Sequence, residues 1–267
     1  MRAPARRSAA KADRQFVAAL ARGLSVLACF RTSDKVLSNQ ELAERCKLPK
    51  STVSRLTHTL TRLGYLQYVE SSAKYRLGTA TLALGSAMLA RMNARQLARP
   101  HMQELAEATG AVVAMGTRAQ LSMIYVEICR SRQPVTVSLD VGARLPLATT
   151  AMGRAYLAAI PDAERQQLMA QIREHDRAGW PKIRAGIEVA LEQYGKLGCC
   201  SSFGDWQKDL NGIAAAIRPG GGTPTLAISV GGPAFQLAPR FLLDEARPRL
   251  IELIGRLKVT LGQDPDQ

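Results

Sequence analysis

Residues 37–77 constrain the fold of this chain more than any other stretch. They begin with a capping box, in which the Ser38 hydroxyl accepts a hydrogen bond from the Glu41 amide and the Glu41 carboxylate accepts one from the Ser38 amide. Leu37 and Leu42 stand at the two positions of a hydrophobic staple, which fixes the direction of the chain at the start of the helix. This first helix ends near residue 46, and a turn of three residues follows. The spacing therefore predicts two helices joined by a tight turn.

The second helix of this stretch is amphipathic. It begins at Pro49, which suits a first helical position because proline has no N–H to leave unpaired there, and it ends at Gly64. One face carries valine and leucine three and four residues apart, and the opposite face is short, polar and cationic. Such a face fits the major groove of DNA, where arginine contacts guanine and hydroxyl groups contact bases or phosphates. Two short strands at 65–69 and 74–77 would then form the wing of a winged helix-turn-helix.

The polar face and the wing supply the expected DNA contacts. The alternative is a surface helical hairpin whose basic face is only solvated. The capping box, the tight turn, the polar face and the following hairpin together are far more specific than two helices alone, so we favour DNA binding. The candidate DNA-binding residues are Lys50, Ser51, Thr52, Ser54, Arg55, His58, Arg62, Lys74 and Arg76.

The distribution of charge supports a polyanionic partner. The chain has 267 residues and a formal net charge of +14. Residues 1–78 hold 15 Lys/Arg against 5 Asp/Glu, whereas residues 79–267 hold 21 against 17. Because the excess lies on the segment with the helix-turn-helix pattern, it indicates an interaction with double-stranded DNA rather than a merely basic protein.

Outside this stretch the hydrophobic pattern predicts an α+β protein. A first helix at 15–30 would turn its apolar side chains inward, namely Val17, Leu20, Leu24 and Leu27. An almost wholly apolar helix at 79–94 lies at a domain boundary, and we expect it to pack on its copy in a homodimer. The rest of the chain is expected to combine about six strands, at 111–117, 121–129, 135–139, 197–203, 213–218 and 225–230, with helices at 96–109, 161–174, 183–194 and 239–261 and a further helix that the chain enters over 145–153 and that runs to residue 160.

These elements predict four segments. Residues 1–14 would be a basic disordered arm that adds phosphate contacts. Residues 15–78 would be the winged helix-turn-helix domain, residues 79–96 a linker and dimerisation helix, and residues 97–264 a second domain. The chain has no run of about 18 apolar residues, so we expect no membrane span.

The five cysteines are an odd number without a CxxC pair. This pattern favours a reducing cytoplasm and argues against a structural zinc site. Cys29 and Cys46 fall on apolar helical stripes and are expected to be small core residues. The adjacent pair Cys199 and Cys200 leaves open an alternative, a regulator that senses oxidants through these thiols.

The second domain shows no signature of a nucleophile, a phosphate-binding loop or a metalloprotease, so no catalytic residue, metal ligand or cofactor is expected. Its most informative feature is the approach to a helix at residues 146–153, with Thr149 or Thr150 as the N-cap. Free amides at such a helix start favour a carboxylate. The strand at 228–233 would supply the opposite wall. The alternative is ordinary helix capping against a sheet.

Seven motifs occur in one order along most of the chain, at 42–56, 63–66, 75–78, 145–155 (LPLATTAMGRA), 204–206, 211–215 and 228–233. In this order they resemble the IclR family of bacterial transcriptional regulators. The resemblance implies a winged helix-turn-helix, a linker helix used in dimerisation, and an effector domain related to GAF and PAS folds, with a mostly antiparallel sheet flanked by helices. It implies dimers, or tetramers made from two dimers, whose operator binding responds to a small organic acid. The effector residues it implies are Leu145, Ala151, Met152, Ser202, Leu210, Gly212, Ser229 and Gly231.

The sequence departs from the family at several of these positions. Lys47 stands where the helix-turn-helix turn often has glycine, and Ser202 stands where members that bind small keto acids often have an acidic residue. Gly212 replaces a polar or thiol side chain, and Gly231 replaces a serine. Because these changes remove polar anchors and add space, we expect an aromatic or alicyclic acid. Two rival hypotheses are an enzyme whose N-terminal helices serve assembly and a purely architectural DNA binder.

Overall fold

The computed structural model describes residues 15–31, 33–90, 92–132, 139–219 and 224–261. They form an α+β protein that divides into two compact units, one up to residue 87 and one from residue 88 onward. The predicted arm at 1–14 lies outside the described residues, as does all but Leu139 of the predicted strand at 135–139. Among the described helices, none is both long enough and apolar enough to cross a bilayer.

The first unit is a three-helix winged helix-turn-helix. Its elements are α1 (Ala18–Ala28), α2 (Asn39–Cys46), α3 (Lys50–Arg62), β1 (Leu66–Val69) and β2 (Lys74–Leu77), with a short 3-10 turn at Glu70–Ser72 between the strands. β1 and β2 pair antiparallel. The three helices and the hairpin enclose a small core of Val26, Leu37, Leu42, Ala43, Val53, Leu60 and Leu66.

The predicted start of α2 is confirmed. Ser38 Oγ accepts from the Glu41 amide at 3.2 Å, and Glu41 Oε2 accepts from the Ser38 amide at 2.8 Å. Leu37 and Leu42 are both buried in the same cluster, as the hydrophobic staple requires. The position of Pro49 differs by one residue from the prediction. Its ψ of 140° makes it the N-cap of α3, and the helix begins at Lys50.

The burial of α1 was predicted on the wrong face. Val17, Leu20 and Leu24 are each more than half exposed, whereas Val26 is fully buried and Leu27 is partly buried against the core. The apolar residues of α1 cover two sides of the helix, and only the side with Val26 contacts α2 and α3. The periodicity of an isolated helix does not indicate which of two apolar sides its neighbours will cover.

The helix α4 (Thr79–Ala90) follows the wing and spans the boundary between the two units. It has no charged residue, and its large side chains Leu82, Leu84 and Met88 are exposed. This apolar helix therefore presents to solvent the side chains that the sequence predicts at a subunit interface.

The second unit is built on one antiparallel sheet. Its strands are β3 (Val112–Ala119), β4 (Ser122–Arg130), β5 (Arg144–Pro146), β6 (Cys200–Phe203), β7 (Leu210–Ile217) and β8 (Leu226–Pro233), in the spatial order β5-β4-β3-β8-β7-β6. The short edge strand β5 was not predicted, because three residues next to a proline carry no clear strand periodicity. It pairs with the first part of β4.

Helices cover both faces of this sheet. They are α5 (Asn93–Thr109), α6 (Ala151–Ala159), α7 (Asp162–His175), α8 (Trp180–Leu197), α9 (Pro239–Phe241) and α10 (Arg247–Thr260), and a π-helical turn, Leu242–Ala246, joins the last two. One core cluster lies between the sheet and α5 and α10, and a second lies between the sheet and α6 to α8. The sheet thus separates two apolar layers.

A β-bulge interrupts β4 at its centre. Met115 of β3 pairs with Glu127 and the next residue, Gly116, pairs with Tyr125, so Val126 is the extra residue of β4. Tyr125 belongs to the core cluster below α6, and Val126 belongs to the cluster below α5. The bulge therefore places two successive residues, Val126 and Glu127, on the α5 side of the sheet.

Glu127 is a buried carboxylate held by two arginines of α5. Its side chain is 2% exposed, against 29% for Arg95 and 58% for Arg99. Arg95 Nε lies 2.8 Å from Glu127 Oε2 and donates a hydrogen bond to the Val126 carbonyl at 3.0 Å, and Arg99 pairs with the other carboxylate oxygen. These contacts fasten the first two turns of α5 to the bulge.

Candidate functional site

The predicted DNA-binding residues of α3 lie mostly on an open surface. Ser51, Ser54, Arg55, His58 and Arg62 are exposed, and Thr52 is half-buried. Lys50 is also exposed, and its Nζ donates to Gln40 Oε1 of α2 at 3.1 Å. Within the described residues, the side chains of Arg55, His58 and Arg62 have no hydrogen-bond or ion-pair partner. They are therefore free to contact bases and phosphates without first breaking an intramolecular pair.

The two basic residues of the wing have intramolecular partners. Lys74 Nζ lies 3.5 Å from Glu41 Oε2, so it also contacts the capping box, and Arg76 Nε donates to Gln67 Oε1 at 3.0 Å. The rings of Tyr68 and Tyr75 pack across the hairpin at 5.2 Å between centroids. Both cations are partly or fully exposed, so these surface contacts leave them available to a phosphate backbone.

In the second unit, a cavity of about 80 Å³ lies between the sheet and the start of α6. It is lined by all eight residues that the family resemblance implies, from Leu145 to Gly231. That these residues bind an effector stays a prediction. The further lining residues are Val112, Tyr125, Leu139, Thr150, Trp206, Asn211, Val230 and Gly232.

The start of α6 points free amides toward this cavity. Thr150 is the N-cap: its hydroxyl accepts from the Gly153 amide at 3.1 Å and donates to the Pro146 carbonyl at 2.8 Å. Within the described part of the chain, the amides of Ala151 and Met152 have no acceptor. A helix start of this kind attracts an anion, because unpaired N–H groups and the positive end of the helix dipole coincide there.

Close packing fixes the position of this helix start. A Cβ atom at Gly153 would lie 2.0 Å from the Leu147 carbonyl oxygen, so only glycine allows the preceding loop to approach α6. Ser202 Oγ of β6 donates to the Thr149 carbonyl at 2.8 Å and ties the same loop to the sheet. The free amides therefore belong to a preorganised segment.

Two glycines open the floor of the cavity. Gly212 of β7 lies directly opposite Gly231 of β8, and the same row continues to Ser202 on β6 and Val112 on β3. A Cβ atom at Gly231 would lie 3.0 Å from the Asn211 carbonyl oxygen, and one at Gly212 would lie 3.2 Å from that of Val230. Because neither position has a side chain, a strip of backbone forms the floor of the cavity here.

Three polar or aromatic lining residues were missed by the sequence analysis. Tyr125 is buried, burial raises its pKa to about 12, and a hydrogen bond with Ser229 offsets part of that rise. Asn211 Nδ2 donates to the Leu237 carbonyl at 3.0 Å. Trp206 lies within the 204–206 motif, so the family resemblance was a signal that could have found it. Tyr125 is adjacent to the bulge, where the alternation of side chains along the strand no longer indicates which face of the sheet a residue occupies.

A buried arginine near the cavity has a structural role. Arg154 of α6 donates to Asp205 Oδ2 at 2.6 Å and to the Ser201 carbonyl at 2.9 Å. It does not line the cavity; its contacts hold the loop that carries Trp206 against α6. Trp206 is thereby positioned by a neighbouring ion pair.

A larger cleft of about 580 Å³ lies on the other side of residues 145–149. Its lining includes Arg144, His175 and Asp176, but not Ala151 or Met152. We assign the candidate effector site to the smaller cavity, because only that cavity combines an apolar lining with the free amides of α6.

Comparisons with known proteins agree with this architecture. Residues 19–70 match the family model described as the IclR helix-turn-helix domain, and residues 86–254 match the one described as bacterial transcriptional regulator IclR C-terminal. The HTH-type transcriptional regulator TsaQ1/TsaQ2 of Comamonas testosteroni is 35% identical over 247 residues, which cover 92% of this chain and 88% of that protein.

Solved structures show the same fold. An IclR family transcriptional regulator from Brucella abortus is 42% identical, with a TM-score of 0.84 over 96% of both chains. An IclR homologue from Microbacterium hydrocarbonoxydans, solved with 4-hydroxybenzoate, is 22% identical, with a TM-score of 0.71 over 91% of this chain and 99% of that one. Since one family model spans more than half of the chain and these relatives span nearly all of it, this protein belongs to the IclR family of bacterial transcriptional regulators.

Proposed function

We propose that this regulator changes its affinity for operator DNA when a small aromatic or alicyclic acid binds in the cavity beside α6. One observation carries the proposal: a mostly apolar cavity meets two backbone amides, those of Ala151 and Met152, that have no acceptor among the described residues. None of the described lining side chains carries a charge. The backbone amides are therefore the groups that would bind the carboxylate.

The lining of the cavity favours a ring over a short polar chain. Tyr125 and Trp206 offer aromatic surface, Leu145 and Met152 are aliphatic, and the Gly212 and Gly231 pair leaves space above the sheet. One protein of this fold holds 4-hydroxybenzoate, which makes the fold compatible with such a ligand, but at 22% identity we carry none of its contacts to this chain.

Titration calorimetry with a panel of acids tests the ligand class. Benzoate-type and cyclohexane carboxylates are expected to bind, and pyruvate and glyoxylate are expected to bind weakly. The corresponding primary amides and alcohols are expected to lose binding, since they present no anion to α6. Tight binding that is restricted to the smallest keto acids would overturn the proposed class.

The variant Ala151→Pro isolates the role of the backbone amide. Ala151 is the first residue of α6, a position at which proline is tolerated, and Thr150 before it is already extended. The substitution removes one N–H without removing a side-chain contact, so affinity for the acid should fall about tenfold, as for a lost charge-assisted hydrogen bond. Ala151→Ser is the matched control, because it keeps the amide. Equal affinities for the two variants would exclude an amide contact at this position.

Coupling to DNA is the second part of the proposal. Selection from a random-sequence duplex library supplies a preferred site, and the affinity for that site is then measured with and without the acid. A differential affinity of the acid for two conformations should change DNA binding by about 5–150-fold. An acid that binds in the cavity and leaves DNA affinity unchanged would favour the architectural alternative.

The remaining alternatives receive no support from the described residues. The enzyme hypothesis requires a nucleophile, a base and an orienting group around one cavity. The cavity beside α6 instead offers hydroxyl, amide and apolar groups. The redox hypothesis placed on Cys199 and Cys200 requires accessible thiols, and both are fully buried on opposite faces of the sheet.

The proposed working state is a cytoplasmic homodimer, or a tetramer of two dimers. The exposed side chains Leu82, Leu84 and Met88 on α4 support a subunit contact at the predicted linker segment 79–96. In the same scheme, residues 15–78 bind DNA and residues 97–264 bind the acid. The basic segment 1–14 adds contacts to phosphates.

A further inference from the structure

Two cysteines of the DNA-binding unit lie in contact. Cys29 is the C-cap of α1 and Cys46 is the last residue of α2. Their Sγ atoms are 2.7 Å apart, within about 0.7 Å of a disulfide bond length, and both thiols are free. The sequence predicts both to be small core residues. In the structure they are half-buried and pack against the edge of the small core.

Neighbouring contacts hold the two sulfur atoms together. Arg45 donates to the Cys29 carbonyl at 3.0 Å and also pairs with Asp34, which fastens the end of α1 to α2. The Cys46 thiol lies 3.7 Å from the Ser25 carbonyl oxygen. Bond formation would therefore require the two sulfur atoms to approach by only about 0.7 Å.

The other three cysteines have a different environment. Cys129, Cys199 and Cys200 are buried, and burial raises the pKa of Cys199 to about 11 and that of Cys200 to about 12. Cys200 also donates to the Ala190 carbonyl at 3.3 Å. Because all three side chains are enclosed, an oxidant in solution cannot reach their sulfur atoms, whereas the two contacting cysteines are partly exposed.

We propose that Cys29 and Cys46 form an oxidisable dithiol that closes to a disulfide joining the ends of α1 and α2 when the protein meets a hydroperoxide. The site is independent of the effector cavity and of the acid that occupies it. It joins two segments of the helix-turn-helix unit through an 18-residue stretch, positions 29–46.

The reaction proceeds in two balanced steps. Burial, with a contribution from the Cys46 sulfur, raises the pKa of Cys29 to about 12, which disfavours the Cys29 thiolate as the first nucleophile. The first attack is therefore assigned to Cys46. The Cys46 sulfur attacks one peroxide oxygen, the O–O bond breaks, and Cys46 becomes a sulfenic acid as water leaves from hydrogen peroxide, or the corresponding alcohol leaves from an organic hydroperoxide. The Cys29 sulfur then attacks the Cys46 sulfur, and its proton leaves with the displaced hydroxyl as water. The two thiols lose two electrons in total, and the hydroperoxide gains them.

Peptide mapping of the full chain after treatment with hydrogen peroxide tests the pair. The expected product is a single cross-linked peptide containing Cys29 and Cys46, with the mass lower by two hydrogen atoms and restored by dithiothreitol. Cys199→Ser is the matched control and should give the same product. A cross-link at Cys199 or Cys200, a cross-link between subunits, or irreversible sulfinic acid at Cys46 would each overturn the proposal.

Two further measurements keep the test independent of any one variant. Closing the loop should raise the melting temperature of the first unit in the wild-type chain by about 10 °C, since the cross-link restricts the unfolded state. The Cys29→Ser variant should lose this rise and instead retain a dimedone-reactive sulfenic acid at Cys46. A peroxide-dependent rise that persists in Cys29→Ser would contradict the assignment, and so would an unchanged melting temperature in the cross-linked wild type.

Discussion

At the scale of single residues, Arg55 is the side chain on which sequence preference is expected to depend. It is exposed at the centre of the polar face of α3 and has no intramolecular partner among the described residues. An arginine in this position can donate two hydrogen bonds to guanine, and such a pair discriminates by about 1–3 kcal/mol. The exposed serines beside it are suited to shorter contacts with bases or phosphates.

We expect Arg55→Ala to weaken binding to the selected site by about 1–3 kcal/mol and to relax the preference at one or two base pairs. Arg22→Ala is the matched control, because it removes the same charge from an exposed position on another helix of the same unit. Fluorescence anisotropy against the selected duplex and its single-base variants gives both quantities. Equal losses in the two variants would mean that Arg55 contributes only charge.

Glu41 gives the capping box a defined pH dependence. Hydrogen bonds from Ser38 lower the pKa of this carboxyl below its ordinary value of 4.5, and the Lys74 charge adds to the effect. A lowered folded-state pKa means that this stabilisation is complete above about pH 4.5 and is lost as the pH falls through the folded-state value. We expect Glu41→Gln to remove that part of the acid transition of the first unit. Glu44→Gln, on the same helix but outside the box, should keep it when melting curves are compared over this pH range.

At the scale of secondary-structure elements, the contact between α5 and β4 depends on one buried carboxylate. Replacement of Glu127 by glutamine would leave two guanidinium groups without their counter-charge, but both reach solvent, which limits the cost. We therefore expect Glu127→Gln to lower the unfolding free energy of the second unit by about 1–3 kcal/mol. Glu104→Gln, at an exposed position of α5, should change it by less than about 0.5 kcal/mol. Urea denaturation measures both.

The apolar surface of α4 gives a second prediction at this scale. A double substitution, Leu82→Glu with Leu84→Glu, places charges where the proposed subunit contact requires apolar side chains. We expect the variant to sediment as a monomer and to lose affinity for a two-half-site duplex. Val259→Glu introduces a charge at an equally exposed apolar position on α10 and should leave the assembly unchanged. A double variant that still sediments as a dimer would place the interface elsewhere.

The elements also show which features a sequence can predict. The capping box of α2, the wing and, to within one residue, the cap of α6 were predictable because each depends on residues within about a dozen positions of one another. The face of α1 that is buried, the edge strand β5 and the role of Tyr125 were not, because each depends on distant partners. For Tyr125, the bulge at Val126 breaks the alternation from which a face would be inferred.

At the scale of the whole molecule, the uneven charge predicts a strong dependence on salt. Affinity for the selected duplex should fall linearly with salt on a double logarithmic plot, with a slope of about −0.9 for each phosphate neutralised. Substitution of Lys74 and Arg76 by alanine should weaken binding to all sequences alike and reduce the slope by about 2. Lys182→Ala with Lys208→Ala, two exposed cations of the second unit, is the matched control and should keep the slope. An unchanged slope in the wing variant would mean that Lys74 and Arg76 do not contact phosphates.

The bulge of β4 has a consequence for how this family of sequences can change in length. Deleting a residue from a buried strand normally turns every following side chain to the opposite face of the sheet. In β4 the residue Val126 has no counterpart in β3, so its loss would restore a regular ladder. Tyr125 would keep its place under α6, and Glu127 would keep its place under α5. Position 126 is thus a point within the core of the second unit at which loss of one codon keeps Tyr125 and Glu127 on their own faces of the sheet, at the cost of the buried Val126 side chain and of the Arg95 hydrogen bond to its carbonyl.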